Sequence, residues 1–170
     1  IVKGDMDHCF KNVKRFFLND EMTFGNLECV LSDKALGSSS MFHFLAPSKN
    51  VQMLTNAGFD FVTAANNHIS DFGTVGRSDT DACLNGAGIS HGFNGQSLVF
   101  STKSGIKVGV YCACESYQLD FERAQAVVEK LKADGAEFII FALHWGNEGT
   151  YRPTAYQQQL SRSYIDAGCD

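Results

Sequence analysis

The chain is predicted to be an α/β protein with mixed sheets, and three observations carry that reading. Residues 59–64 and 138–143 are uninterrupted apolar runs, the pattern of strands covered on both faces. Segments with apolar residues at helical spacing alternate with them, as helices packed on a sheet require. Residues 98–101 and 106–112 flank Lys103-Ser104-Gly105 and read as a β-hairpin, which adds an antiparallel element.

The elements follow in order. Phe10, Val13, Phe16 and Phe17 recur at helical spacing, and Asp20 ends that segment. Residues 22–27 read as a strand, followed by a polar loop through Ser38-Ser39-Ser40. Phe42 and Phe44 alternate with less apolar neighbours and predict a short strand stopped near Pro47. Ser48 is placed to cap a helix carrying Val51, Leu54 and Ala57, with Gly58 at its end. Strand 59–64 comes next, then a helix over 74–85 ending at Gly86. After the hairpin, Phe121, Ala124, Val127, Val128 and Leu131 mark one helix face, ended by Asp134-Gly135. Strand 138–143 and a last helix over 154–167, with Gly168 behind it, complete the chain. No repeat, low-complexity stretch or linker interrupts it, so the 170 residues are expected to form a single domain.

Composition narrows the function. With 44% hydrophobic and 19% charged residues, the chain belongs with folded globular domains rather than disordered ones. The net charge of −5 and the lack of a basic stripe argue against nucleic acid as a partner. No apolar run approaches the ~20 residues of a transmembrane helix, and no targeting signal is visible. Cys9, Cys29, Cys83, Cys112, Cys114 and Cys169 show no zinc-ribbon spacing. They read mainly as small core hydrophobes in a reduced protein, a partial disulfide set being the alternative.

The chemistry concentrates where two strands end. Residues 59–64 run into Ala65-Asn66-Asn67-His68-Ile69-Ser70-Asp71, and residues 138–143 run into His144-Trp145-Gly146-Asn147-Glu148. An α/β protein puts its sites beyond the carboxyl ends of its strands. Asn and Asp offer hard oxygen ligands, while His offers a nitrogen ligand or a proton. Each residue also has a plainer reading. Asn66 and Asn67 suit a turn with side-chain-to-backbone hydrogen bonds. Glu28 suits a surface carboxylate, and His144 a core imidazole against Trp145. Asp71 suits the N-terminal end of the following helix, and Glu148 and Gln157 suit either substrate contact or loop hydrogen bonding. His8, His43 and His91 are expected to be structural or surface groups.

Phe24-Gly25-Asn26-Leu27-Glu28 resembles the "NLE" motif of the bacterial poly-γ-glutamate capsule synthesis (CapA-type) family. Gly58-Phe59-Asp60-Phe61-Val62, running into Asn66-Asn67-His68 and Asp71-Phe72-Gly73, is similar to its second motif. His144-Trp145-Gly146, Glu148, Pro153 and Gln157, with Asp166-Ala167-Gly168-Cys169-Asp170, resemble its third. The family is related to calcineurin-like metallophosphoesterases. The resemblance therefore implies a layered α/β/β/α sandwich with two divalent metal ions on loops after the strands.

On that resemblance Glu28, Asn67 and His144 are metal ligands, and His68 is the non-ligating imidazole near the scissile phosphate. Asp71 orients His68, while Asn26, Asn66, Glu148 and Gln157 are substrate-binding candidates. Mixed oxygen and imidazole ligands suit Mn²⁺, Zn²⁺ or Fe. The implied substrate is a phosphoester or polymer in envelope polymer synthesis, within a membrane-associated complex. The implied setting is a bacterial cell envelope or cytoplasm. The alternative is a non-catalytic scaffold or polymer-binding domain that keeps the fold. Two departures stand out. Gly4-Asp5 lies too close to Glu28 to be the family's first Gly-Asp, which makes Asp5 a surface residue and places the true first strand upstream of Ile1. The family's closing His-Pro-His falls beyond Asp170. The chain is thus expected to hold a domain truncated at both ends with an incomplete ligand set, and Gly149 stands where the family more often shows Tyr.

Overall fold

The computed structural model of the chain describes residues 5–34, 37, 38 and 41–170, and it comprises two compact units, Ile1–His91 and Gly92–Asp170. Gly4 of the Gly4-Asp5 pair, and Ser39 and Ser40 of the polar loop, lie outside the described residues. Asp5 is exposed and accepts a hydrogen bond from the Asp7 amide. Together the units form a mixed α/β protein of three small sheets and five α-helices among the described residues.

The first unit opens with turns that lead into a single helical turn, α1 (Lys14–Phe17). The periodicity predicts a longer helix from Phe10. Instead, Phe10 and Phe17 meet Phe59 edge-on at 5.2 and 5.5 Å, and α1 has no side-chain cap. Aromatic packing has overridden helical spacing here.

The remaining elements of this unit are β1 (Phe24–Asn26), β2 (Val30–Leu31), β3 (Leu45–Ala46), α2 (Val51–Ala57), β4 (Phe61–Thr63), α3 (Gly73–Gly86) and β5 (Ser90–Gly92). β4 is fully buried, as its continuous apolar run predicts, and lies between β1 and β5. β1 pairs with it in parallel, with Phe24 opposite Phe61 and Asn26 opposite Thr63. The Phe24 and Phe61 rings stack at 4.7 Å. Val62, Leu84 and Ile89 form the core, joined by Leu27, Val51 and Leu54.

β2 and β3 make a separate parallel pair, Val30 opposite Leu45. The predicted strand around Phe42 and Phe44 thus begins later, and β2 escapes prediction because two residues carry no periodicity. Thr80 of α3, 0% exposed, anchors β2: its hydroxyl accepts from the Leu31 N–H at 2.9 Å and donates to the Gly76 carbonyl at 2.8 Å. Ser48 does not cap α2. It begins a 3₁₀ turn, Ser48–Asn50, and its N–H and hydroxyl both donate to Asp33. Gly58 closes α2 as expected, at φ 93°, a left-handed conformation that a side chain would strain.

The second unit contains β6 (Gln96–Ser101), β7 (Lys107–Cys114), α4 (Phe121–Ala133), β8 (Phe138–His144) and α5 (Ala155–Asp166). β6 and β7 form the predicted antiparallel hairpin, and β8 adds to β7 in parallel, ending with Cys114 opposite His144. Side-chain alternation puts Ile139, Phe141 and Leu143 on one face of β8. Ile139 packs on Val128 and Leu131 of α4, and Phe141 and Leu143 pack against Ala124 and Tyr164. Asp120 caps α4 through the Arg123 N–H at 2.9 Å. Burial pushes the Tyr111 phenol up to about 12, and its hydroxyl donates to the Tyr117 carbonyl at 2.7 Å.

All six cysteines are free thiols, and burial raises the pKa of Cys29 and Cys169. No helix among the described residues is long and apolar enough to cross a membrane.

Replacing Thr80 by Val keeps the shape but leaves the buried Leu31 N–H without an acceptor. Thr80→Val is expected to lower unfolding stability by about 1–3 kcal/mol in urea denaturation. A loss below ~0.5 kcal/mol would remove Thr80 as the anchor of β2.

Candidate functional site

β1 and β4 run parallel and end side by side, so their polar sequels emerge at one place. The Asn66 side chain, 1% exposed, ties them. Its amide N–H groups donate to the Leu27 carbonyl at 2.9 Å and to Asn26 Oδ1 at 3.1 Å, and its Oδ1 accepts from the His68 N–H at 3.1 Å. Asn26 Nδ2 in turn donates to Glu28 Oε2 at 3.0 Å. One buried amide therefore fixes the backbone at His68 and, through Asn26, the carboxylate of Glu28. The turn reading of Asn66 accounts for one of its three bonds; the other two span the strands.

His68 is held at the same turn, its side chain 12% exposed. Nδ1 lies 2.8 Å from Asp71 Oδ2, whose side chain is 3% exposed. An ionised carboxylate only accepts, so Nδ1 carries the proton of that bond and Nε2 is the nitrogen turned outward. Nε2 lies 3.9 Å from Glu28 Oε1, beyond hydrogen-bonding distance. Asp71 precedes α3 but does not cap it. The helix has no side-chain cap, and the same Asp71 Oδ2 accepts from the Phe44 N–H at 2.9 Å. The Phe44 ring lies over the imidazole with centroids 4.3 Å apart.

Asn26, Glu28, Asn66, His68 and Asp71 thus come together in the first unit. Asn67 is exposed at the same turn. The contribution of Phe44 is invisible in sequence, since it lies 27 residues from its partner Asp71 and alternation marks it only as a strand residue.

In the second unit, His144 ends β8 and is half-buried, while Glu148 is exposed in the following turn. Gln157 takes the loop-bonding role. Its Oε1 accepts from the Thr154 N–H at 2.8 Å, and its Nε2 reaches the Trp145 carbonyl at 3.5 Å. With the Thr154 hydroxyl accepting from the Gln157 N–H, this closes a capping box on α5. Gly146, at φ 105°, is needed twice over: a Cβ there would come within 2.4 Å of Gln157 Nε2. Asp170 pairs with Ile139 twice: its N–H donates to the Ile139 carbonyl at 3.0 Å, and its carboxylate accepts from the Ile139 N–H at 2.9 Å. His91, expected to be structural, has Nε2 2.9 Å from Asp81 and Nδ1 3.0 Å from the Ile89 carbonyl.

The donor set tests the implied metals. Among the described residues, no three His, Cys, Asp or Glu side chains gather into a group that could hold an ion. In the first unit Glu28 and Asn67 supply oxygen donors of the right kind, but two donors fall short of the roughly four to six that a divalent ion takes.

The oriented imidazole and the carboxylate thus stand at the ends of adjacent parallel strands, the place where α/β proteins commonly build their sites. Comparison with known proteins is more specific. The family model described as bacterial capsule synthesis protein PGA_cap matches residues 2–170, and the chain belongs to that family. It is 24% identical over 191 residues to the capsule biosynthesis protein CapA of Bacillus anthracis, across 96% of this chain and 46% of that protein. It is 23% identical over 186 residues to the PGA biosynthesis protein CapA of Bacillus subtilis, across 96% and 49%. It is 28% identical over 154 residues to a Mycobacterium tuberculosis protein named "Probable polyglutamine synthesis accessory protein", across 71% and 40%. The chain spans about half the length of these relatives or less.

The bonding around Asn66 predicts an asymmetry between two asparagines. Asn66→Ala removes a buried group with three bonds and is expected to cost about 2–3 kcal/mol of stability, whereas exposed Asn26→Ala costs under ~1 kcal/mol. Equal losses in chemical denaturation would contradict the role of Asn66 as the tie between the strands.

Proposed function

We propose that the chain is the strand-end portion of a capsule or poly-γ-glutamate synthesis protein whose site acts on a phosphoester, and that it takes the layered metallophosphoesterase sandwich. The observation carrying this reading is the 2.8 Å pairing of His68 Nδ1 with buried Asp71, which turns Nε2 outward beside Glu28. Membership of the PGA_cap family and the names of two relatives support a role in capsule or poly-γ-glutamate synthesis, and the name of a third, an accessory protein, supports the proposed synthesis complex, which we place at the cell envelope.

A divalent ion, Mn²⁺, Zn²⁺ or Fe, would be held by Glu28 and Asn67 together with ligands outside the described first-unit set. Such an ion supplies a polarised phosphoryl oxygen and an activated water when bound. The rest of the chemistry falls to the chain's own groups. Asp71 holds the imidazole in one tautomer and one orientation. His68 Nε2, protonated, delivers a proton to the departing oxygen or stabilises charge on the phosphoryl group. Asn66 and Asn26 keep the imidazole and the Glu28 carboxylate at fixed separation. His144 is proposed as a metal ligand in its own right, tested separately. The second reading, a non-catalytic scaffold or polymer-binding domain, is favoured by the name of one relative, an accessory protein of polyglutamine synthesis.

Elemental analysis and a phosphodiester assay on the intact protein, purified without chelator and with Mn²⁺ or Zn²⁺ added back, separate the two. Bound metal with turnover is expected; neither metal nor turnover establishes the scaffold. His68→Ala is expected to keep its metal and lose about 10²–10⁴-fold in turnover. Loss of metal instead would make His68 a ligand. His144→Ala is expected to lower metal content while leaving the circular dichroism spectrum unchanged, and unaltered metal content would remove His144 from the ligand set.

A further inference from the structure

We infer that Phe44 is a positioning residue for His68, clamping the imidazole onto Asp71 through two different groups. Its backbone N–H donates to Asp71 Oδ2 at 2.9 Å, the oxygen that also faces His68 Nδ1. Its ring lies against the imidazole with centroids 4.3 Å apart and planes at 50°. The backbone that carries the ring is itself held, because the Phe44 carbonyl accepts from the Val30 N–H at 2.9 Å and the next two residues pair with β2.

The exposure of Phe44 distinguishes this role from core filling. The residue is 46% exposed, so it forgoes much of the apolar burial that normally fixes a phenylalanine. What its ring does cover is an imidazole that is only 12% exposed. A single hydrogen bond through Nδ1 leaves the imidazole free to tilt or to swing out into solvent. The ring closes that path, and tilted aromatic pairs at this spacing add attraction beyond area alone. The shared N–H matters equally. Asp71 Oδ2 is fixed by a donor from a different part of the chain, so the carboxylate cannot turn to follow the imidazole. Carboxylate, imidazole and ring therefore form one rigid stack whose open edge is Nε2.

The inference rests on the reading of His68 as the acid–base group of the site, but its test reads the imidazole and not turnover. The protein, labelled with ¹⁵N-histidine, is compared with Phe44→Tyr and Phe44→Leu at one fixed pH. The quantity measured by NMR is the rate at which the His68 Nδ1 proton exchanges with water. The backbone bonds of residue 44 survive in both variants, and the exposed site tolerates both side chains; amide spectra verify the fold. Phe44→Tyr is expected to match the natural protein within about twofold, and Phe44→Leu to exchange about three- to tenfold faster. A filling role would treat Leu and Tyr alike. The inference is overturned if Leu protects the proton as well as Phe, if Tyr fails as badly as Leu, or if the natural protein shows no protected Nδ1 proton. If the exchange rates split as expected while the intact protein shows no phosphoesterase activity, the clamp stands and the catalytic reading falls.

Discussion

The buried amide of Asn66 is the constraint on which the first unit's site depends. Parallel strands bring their ends together, but each end also delivers backbone groups that have lost their ladder partners. Leu27 has one bond of that ladder left, its N–H on the Thr63 carbonyl at 2.9 Å, and its own carbonyl must find a donor elsewhere. Asn66 supplies it, and its second N–H and its oxygen go to Asn26 and the His68 N–H. No aliphatic residue of that size satisfies three partners, and a carboxylate would donate to neither acceptor. The two loops that carry Glu28 and His68 are thereby held to each other by a group that water does not reach. Among the described residues, no buried side-chain polar atom lacks a partner.

Orientation of the imidazole follows from the same accounting. Asp71 is buried, and its Oδ2 accepts from the Phe44 N–H, 27 residues away, as well as facing His68 Nδ1, so the carboxylate has an anchor besides the imidazole. Since Nδ1 is committed to that carboxylate, chemistry is left to Nε2, and the carboxylate on that side, Glu28, stands too far away to take its proton. The second unit solves its loop problem by an analogous device. Gln157 spans from the cap of α5 back to the Trp145 carbonyl, and Gly146 leaves room for it. In both units a side-chain amide stabilises the turn after a strand while the neighbouring histidine ends that strand or follows it.

The parts of the fold legible in sequence are those in which one physical demand dominates. β4 announces itself because a strand flanked by other layers must be apolar at nearly every position, whereas β8 shares the apolar run but buries only Ile139 fully and leaves Phe138 exposed. The α4 face, the hairpin turn and the Gly58 terminus follow from spacing and backbone freedom. Legibility failed where two demands competed. Phe10 and Phe17 have helical spacing but meet Phe59 instead. Ser48 has the chemistry of a cap but binds Asp33, fifteen residues back. β2 and β3 are two residues each and exist because Thr80 and the Phe44 carbonyl satisfy Val30–Leu31 from outside. For the site, sequence placed the functional groups at strand ends but could not separate Asn66 from Asn67. One is buried with three partners and its neighbour is exposed, and alternation at a turn gives no means of telling which is which.

That separation bears on what the site can do. Asn66 and Gln157 direct side-chain hydrogen bonds to groups of the fold itself. Half-buried Glu28, exposed Asn67 and the Nε2 edge of His68 stand at those strand ends, and they combine one carboxyl group, one amide and one imidazole. A phosphoester brings negative charge toward that carboxylate, which opposes binding unless a cation intervenes. On that side of the site His68 Nε2 lies 3.9 Å from Glu28 Oε1. For the phosphoester proposed above, the balance of charge favours a metal ion at Glu28 or an approach confined to the His68 side. On that proposal, a phosphate that has to pass a carboxylate makes Glu28 easier to understand as one side of a metal centre than as part of a complete anion-binding pocket.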